Sequence, residues 1–329
     1  MSKSFTIIGH GLAGCVMAMT LFRKNIPFQL IGTSLPGEAS MASSGLIAPI
    51  TGRRYVKAWN IETYISAAKE FYQWSEDLLG DKYFNEVEIV RFLTNEEAAR
   101  AWKLRAEDPE YRKYISSKSY EEVDQFNRPY GILIGGYRLD TQAWLKEVRA
   151  FLLDKGLLNI VDHPVAVKEI EEGIFILATG AVDKTLAHGV IPNKGEALIV
   201  RLPSWRISII VKDEVFIVPL VEDIYWVGSY YQPWPEDPYP SAEGKALLLN
   251  GISKLYDGPV EIIEHLSGVR PTVNDRRPII GAFPGKSNVY LFNGMGTKAT
   301  SLAPYWAEQL ISHILDGVSL PKEVSPDRY

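Results

Sequence analysis

The chain has 329 residues, 46% hydrophobic and 23% charged, values of an ordinary globular protein with a sizeable core and room for two domains. Its net charge of −5, without a long basic run, argues against an electrostatic grip on nucleic acid. One cysteine, Cys15, excludes an intrachain disulfide, and no stretch reaches the roughly 18 apolar residues of a membrane span, so a cytoplasmic protein without a leader is expected.

Residues 5–8, Phe-Thr-Ile-Ile, have the uninterrupted β-rich character of a buried parallel strand. They run into Gly9-His10-Gly11-Leu12-Ala13-Gly14, a G-x-G-x-x-G turn that opens a predicted helix. In such a turn Gly9 permits the bend, Gly11 admits a pyrophosphate to the backbone, and Gly14 lets helix and strand pack closely. Ala18 and Leu21 continue the buried face, Asn25 suits a left-handed helix end, and Pro27 blocks resumption. A second strand over residues 28–31 completes a βαβ unit whose helix start offers free N–H groups to a diphosphate. Gly9, Gly11, Leu12, Ala13 and Gly14 are therefore candidate cofactor contacts. The acid that hydrogen-bonds an adenosine ribose belongs near position 32, where this chain has Gly32. Residues 32–44 hold no basic side chain for a 2′-phosphate either, which leaves Thr33, Ser34 and a folded-back Glu38 as candidate ribose contacts. The turn predicts a dinucleotide without choosing which.

Arg53 and Arg54 form a basic pair that suits either an acidic group of a substrate or plain solvation. Helical spacing of apolar residues predicts a long helix over residues 60–79, and the charged stretch 96–125 predicts more. Trp144, Leu145, Val148, Phe151 and Leu152 share the apolar face of another helix. "YYQPWPEDPYP", residues 230–240, carries four prolines and is a loop after its first residues, either a lid or an interdomain strap. Strand alternation lets only one of Tyr230 and Tyr231 face inward. The histidines at 10, 163, 188, 265 and 313 are scattered among segments of other purpose, so no catalytic triad and no dedicated general base is expected. No Cys/His cluster has zinc-ligand spacing, and no metal is expected.

Towards the C-terminus stand Gly268-Val269-Arg270-Pro271, then DRRPIIG at residues 275–281, an apolar strand over 289–292, and a glycine turn over 293–297 into a final helix. With the N-terminal unit, this order resembles the FAD-dependent D-amino acid oxidase-like family, which includes glycine oxidase, sarcosine oxidase and related amine dehydrogenases. SSGLIAP at 43–49 is similar to the family segment that passes the flavin ring, and residues 135–156 to its long central helix. HPVAVKEI is similar to the strand whose valine, here Val165, lies on the adenine. ILATGA at 176–181 matches the strand and turn that follow, and residues 217–232 resemble paired strands of the substrate domain. The similarity spans nearly the whole chain in consistent order.

The resemblance implies FAD, bound non-covalently because Cys15 lies on the first helix, away from the ring. It implies further cofactor contacts from Ser43, Ser44, Gly45, Leu46, Val165, Thr179, Gly180, Arg270, Gly294, Met295, Gly296, Thr297 and Lys298. A reduced flavin gains negative charge near N1 and C2=O, which a helix start and Lys298 would stabilise. A guanidinium presents a planar fork that matches a carboxylate, so Arg270 suits a substrate acid or an interdomain ion pair. The resemblance implies the former, with Tyr230 or Tyr231 beside it. Arg276 and Arg277 are read as structural. Departures from the family pattern are Gly32, Met295 where many members have histidine, and Ala299 where many have glycine. The ending GMGTKATSLAP is also similar to the oxidase half of bifunctional tRNA wobble-uridine modification enzymes.

The expected fold is α/β: an FAD-binding Rossmann-like βαβ domain with a central parallel sheet (1–50, 138–194 and 266–329), interleaved with a β-rich α+β substrate domain (51–137 and 195–265). The expected activity is oxidation of the C–N bond of a small amino acid or N-substituted glycine by hydride transfer to flavin N5, with no catalytic residue beyond the flavin. Two alternatives stay open: oxidation of a carboxymethylaminomethyl group on tRNA, and a dinucleotide-binding protein without catalysis.

Overall fold

A computed structural model describes residues 4–163, 173–181 and 188–329. Two sheets organise them. The first has six strands in the order Ile279–Ala282, Val289–Asn293, Ile174–Leu177, Phe5–Ile8, Phe28–Thr33 and Leu158–Val161. All neighbours are parallel except the first pair. The central strand pairs Ile7 with Leu30 on one side and Ile176 on the other, and all three are fully buried. Such a strand needs apolar residues throughout, which explains its unalternating sequence.

The helix Leu12–Arg23 is buried on nearly every side, from Gly14 through Leu21. A helix apolar all round must be covered all round, and here it packs on the helices Thr141–Asp154 and Ala299–Asp316. Phe22 meets Phe151 edge to face at 5.1 Å. Asn25 ends the helix in the left-handed region at φ 54°, as its sequence predicts. The helix Ile61–Leu79 starts at Asn60 and closes at Gly80. Its Tyr72 hydroxyl donates to Thr300 O at 3.0 Å, which ties it to the first turn of the last helix.

The second sheet has nine strands. Its path runs Glu261–Thr272, Ile191–Arg201, Ile224–Pro233, Phe216–Val221, Ile210–Lys212, Phe84–Phe92, Tyr130–Leu139 and Leu46–Ile47, with Ile115–Ser116 beside Tyr130–Leu139. It is antiparallel apart from the pairing of Ile210–Lys212 with Phe84–Phe92. Alternation sorts its side chains onto two faces. Ile89, Leu133, Ala197, Ile210, Val218 and Trp226 join the core that contains the first sheet. Val90, Leu198, Val211, Ile217 and Val227 pack on Leu248 and Ile252 of the helix Ala242–Ser253. The helices Glu96–Glu107 and Glu121–Asp124 fall in the charged stretch where further helix is expected.

Candidate active site

A cavity of about 850 Å³ is walled by the first glycine turn, the segment 38–53, the inner face of the larger sheet and the start of the last helix. Residues from both ends of the chain therefore line one space. Gly9 is held at φ 104°, and its N–H donates to Ile31 O at 2.8 Å. A side chain there would run into Ala178. One at Gly14 would overlap Gly9 O, so this glycine serves helix–strand packing and does not itself line the cavity. Gly11 is the opposite case. The nearest atoms to a Cβ there are Ser40 Oγ at 3.4 Å and Glu38 Oε1 at 3.9 Å, leaving its backbone open to the cavity. Gly11 caps the helix with no side-chain hydrogen bond; Leu12 N donates to Ser40 Oγ at 3.0 Å.

The glycine at position 32 has a physical reason. A Cβ there would lie 2.6 Å from His10 Cγ, because the His10 ring occupies the space beside the strand end. His10 is buried, and burial followed by the charge of Arg149 pushes it down to about 4, so it is neutral near pH 7. Arg149 reaches from the helix Thr141–Asp154 and donates to His10 O at 2.7 Å. The same guanidinium is ion-paired with Glu38. Glu38 thus folds back to the glycine turn, held by a bridge to the strand Glu261–Thr272 at Val269.

At the other end, Asn293 Nδ2 donates to Gly180 O at 2.8 Å, fastening the second glycine turn to the turn after Ile174–Leu177. Gly296 has φ 54°, and the helix Ala299–Asp316 begins without a side-chain cap. Met295 to Ser301 line the cavity. Burial, then Arg276 and Arg277, lower the Lys298 ammonium below its ordinary range. Arg276 lines the cavity too. Arg277 stacks on Trp59 at 3.9 Å.

Arg270 lies across Gly195 of the neighbouring strand, where any side chain would overlap its guanidinium. The Tyr231 ring covers it at 4.3 Å. Burial lowers the arginine's value, and its Nη1 has no hydrogen-bond partner among the described residues. A buried, unpaired guanidinium nitrogen beside a cavity is costly unless an anion meets it. Of the two candidate tyrosines, Tyr231 lines the cavity and Tyr230 does not; Tyr230 lies by Glu243. The proline-rich segment is a strap. Lys194 Nζ donates to Tyr239 O at 2.9 Å and Ser267 Oγ to Pro238 O at 2.6 Å, pinning it to the sheet.

Gly9, Gly11, Leu12, Ala13, Thr33, Ser43, Ser44, Leu46, Thr179, Gly180, Arg270, Met295, Gly296, Thr297 and Lys298 all line the cavity. Ser34, Gly45 and Gly294 do not. Gly45 and Gly294 have positive φ where a side chain would strike Leu139 O and Ile279, so their part is to bend the chain. Ser34 is exposed. Val165 lies outside the described residues. Arg91, Lys212, Asn193 and Gly195 line the cavity without having been singled out in the sequence. The first two carry a faint signal, a charge two residues after an apolar strand position. Burial and the neighbouring Arg91 push Lys212 down to about 8.

The cavity suits a dinucleotide flavin. Two helix starts whose own N-cap residues give no side-chain hydrogen bond open onto it, Gly11 leaves space for a diphosphate, and Thr179 Oγ1 and Arg270 Nη1 are buried without partners among the described residues. A parallel sheet with a glycine turn shaped for a dinucleotide, set against an antiparallel sheet that closes a cavity, is the architecture of a dinucleotide-binding protein. Residues 4–312 match the family model of FAD dependent oxidoreductases, and the chain belongs to that family. It is an FAD-dependent oxidoreductase of the D-amino acid oxidase type.

The fold is shared with iminodiacetate oxidase from Chelativorans sp. BNC1, at TM-score 0.78 and 18% identity over 98% of both chains. Glycine oxidase from Geobacillus kaustophilus is similar at TM-score 0.79 and 16% identity over 99% of both chains. In sequence, the chain is 22% identical over 368 residues to the bifunctional tRNA 5-methylaminomethyl-2-thiouridine biosynthesis protein of Marinobacter nauticus. That match covers 94% of this chain and 55% of the relative, so the chain spans about half that protein's length. Among the described residues no helix is long and apolar enough to cross a membrane.

Proposed function

We propose that this chain oxidises the C–N bond of a small amino acid or N-substituted glycine in the cytoplasm, with FAD held non-covalently. The observation that carries the reading is Arg270, whose Nη1 is buried and unpaired among the described residues in the cavity shared by both glycine turns. In this reading the nucleotide half lies along Gly9, Gly11, Leu12 and Ala13, with Glu38 in place of the missing strand-end acid. The ring lies between residues 43–46 and the start of the last helix. The FAD unit comprises 1–50, 138–194 and 266–329, and the substrate unit 51–137 and 195–265. Bound there, FAD supplies the two-electron acceptor for the oxidation.

The protein's own residues supply position and field. Arg270 pairs with the substrate carboxylate through two parallel hydrogen bonds and so orients the adjacent carbon and nitrogen. Tyr231 shields that pair from water, which strengthens it. The last-helix start and Lys298 favour negative charge at the ring edge. No side chain need remove a proton from carbon, because the neutral amine's lone pair assists departure of the C–H electrons. The imine then hydrolyses in water.

Anaerobic mixing of the yellow holoprotein with a panel of amino acids and N-substituted glycines tests this reading by loss of flavin absorbance. A second reading, oxidation of a carboxymethylaminomethyl group on tRNA, is supported by the Marinobacter relative and is tested by retention of tRNA in a gel shift.

A further inference from the structure

Six cationic side chains line the cavity: Arg53, Arg91, Lys212, Arg270, Arg276 and Lys298. None forms an ion pair among the described residues. The carboxylates on the wall are already engaged, Glu38 by Arg149 and Glu196 by His265 at 2.9 Å and Lys194 at 3.5 Å. Uncompensated charge in a partly enclosed cavity calls for anionic occupants. Arg276 and Lys298 stand at the last-helix start, and Arg270 under Tyr231. Arg91 and Lys212 are left over.

These two are register partners on the adjacent parallel strands Phe84–Phe92 and Ile210–Lys212. Each follows an isoleucine by two positions, Ile89 and Ile210, and so shares the inner face with Leu133, Val218 and Trp226. Like charges set side by side on an apolar face repel. What surrounds them does not cancel that charge. Arg91 lies 4.8 Å over the Tyr55 ring and donates to Gly52 O at 3.4 Å. Lys212 Nζ donates to Glu214 O at 2.6 Å and lies 4.8 Å over the Phe216 ring. Arg53, exposed, stands at the mouth beside Gly52.

Building on the amine-oxidation reading, we infer that Arg91 and Lys212 bind a second anionic group of the substrate, an amino acid or N-substituted glycine bearing a further carboxylate or phosphate. The strand of Lys212 lies three strand spacings, roughly 14 Å, from that of Gly195 beneath Arg270. Long side chains reaching in from both places hold the two ends of one substrate, with the amine between them. Arg53 draws the free end in.

The test is calorimetric titration of the FAD-loaded protein with butyrate, glutarate and 3-phosphonopropionate. Glutarate or the phosphonate is expected to bind at least ten-fold more tightly than butyrate, and the tighter of the two identifies the second group. Lys212→Met removes a poorly solvated charge and should fold; in it the dianion-to-monoanion ratio falls toward one, as it does separately in Arg91→Met. Equal affinities in the unaltered protein, or a dianion advantage that survives both substitutions, overturns the inference. Flavin reduction is scored apart from binding. A dianion advantage in a protein whose flavin no amine reduces supports the subsite and sinks the amine reading. Reduction by glycine and by iminodiacetate with equal efficiency does the reverse.

Discussion

The imidazole of His10 stands where a side chain at Gly32 would have to be, 2.6 Å from the position of its Cβ. The two residues are a coupled pair: a ring in the glycine turn fills the space where the general dinucleotide-binding pattern places an acid. Gly32→Glu, which restores the usual acid, is therefore expected to lower stability by about 1–3 kcal/mol through overpacking. Adding His10→Ala should recover most of that loss in thermal melts. A Gly32→Glu protein as stable as the parent would contradict the coupling.

The same histidine gives a pH dependence of known sign. Its folded value, about 4, lies below the ordinary 6.5 because burial, then Arg149, disfavours the cation. The unfolded chain thus takes up a proton first as pH falls. This contribution to stability is complete above about pH 6.5 and is lost down to about 4, by of order 3 kcal/mol. Denaturant unfolding from pH 7.5 to 4.5 should show a shallower acid loss in His10→Asn than in the parent.

With no acid at position 32, Glu38 is the carboxylate nearest the glycine turn, positioned by Arg149. Glu38→Gln should raise the FAD dissociation constant of the apoprotein about ten-fold, near 1.5 kcal/mol for a charged hydrogen bond. Flavin fluorescence quenching on titration reads this without any turnover.

Gly195 leaves the space that Arg270 fills. Gly195→Ala suits a strand but displaces the guanidinium. KM for the amine is expected to rise about 100-fold, of order 3 kcal/mol, while the bound flavin keeps its absorbance. An unchanged KM would mean that Arg270 does not anchor the substrate.

Lys212 titrates near 8, lowered by burial and Arg91 against smaller opposing effects of Asp213 and Glu214. Below that pH it is cationic. The preference for dianions should be full at pH 7 and fall as pH rises through about 8, read as the glutarate-to-butyrate affinity ratio at pH 7 and 9.

Much of this was legible in the chain. Gly9, Gly11 and Gly14 followed a buried apolar strand, and Gly268 to Thr297 reproduced a family order, so both walls of the cavity had local signatures. The meaning of Gly32 was not legible, because it depends on where the His10 ring turns. Whether residues 230–240 form a lid or a strap was likewise hidden: Lys194 and Ser267, which hold them, come from other strands. Arg91 and Lys212 escaped notice because strand register, not sequence spacing, brings them together. Alternation at Tyr230 and Tyr231 limited the choice to one, and only the stacking on Arg270 made it.

Anaerobic titration of the holoprotein, followed by flavin absorbance, bears most directly on the claim that both chain ends enclose one flavin with Arg270 as substrate anchor. The expected result is bleaching by at least one amino acid or N-substituted glycine in the parent, and none at the same concentration in Arg270→Ala, which stays yellow. A protein that cannot be loaded with FAD, a flavin that no member of the panel reduces, or an Arg270→Ala variant that bleaches along the same curve would contradict it.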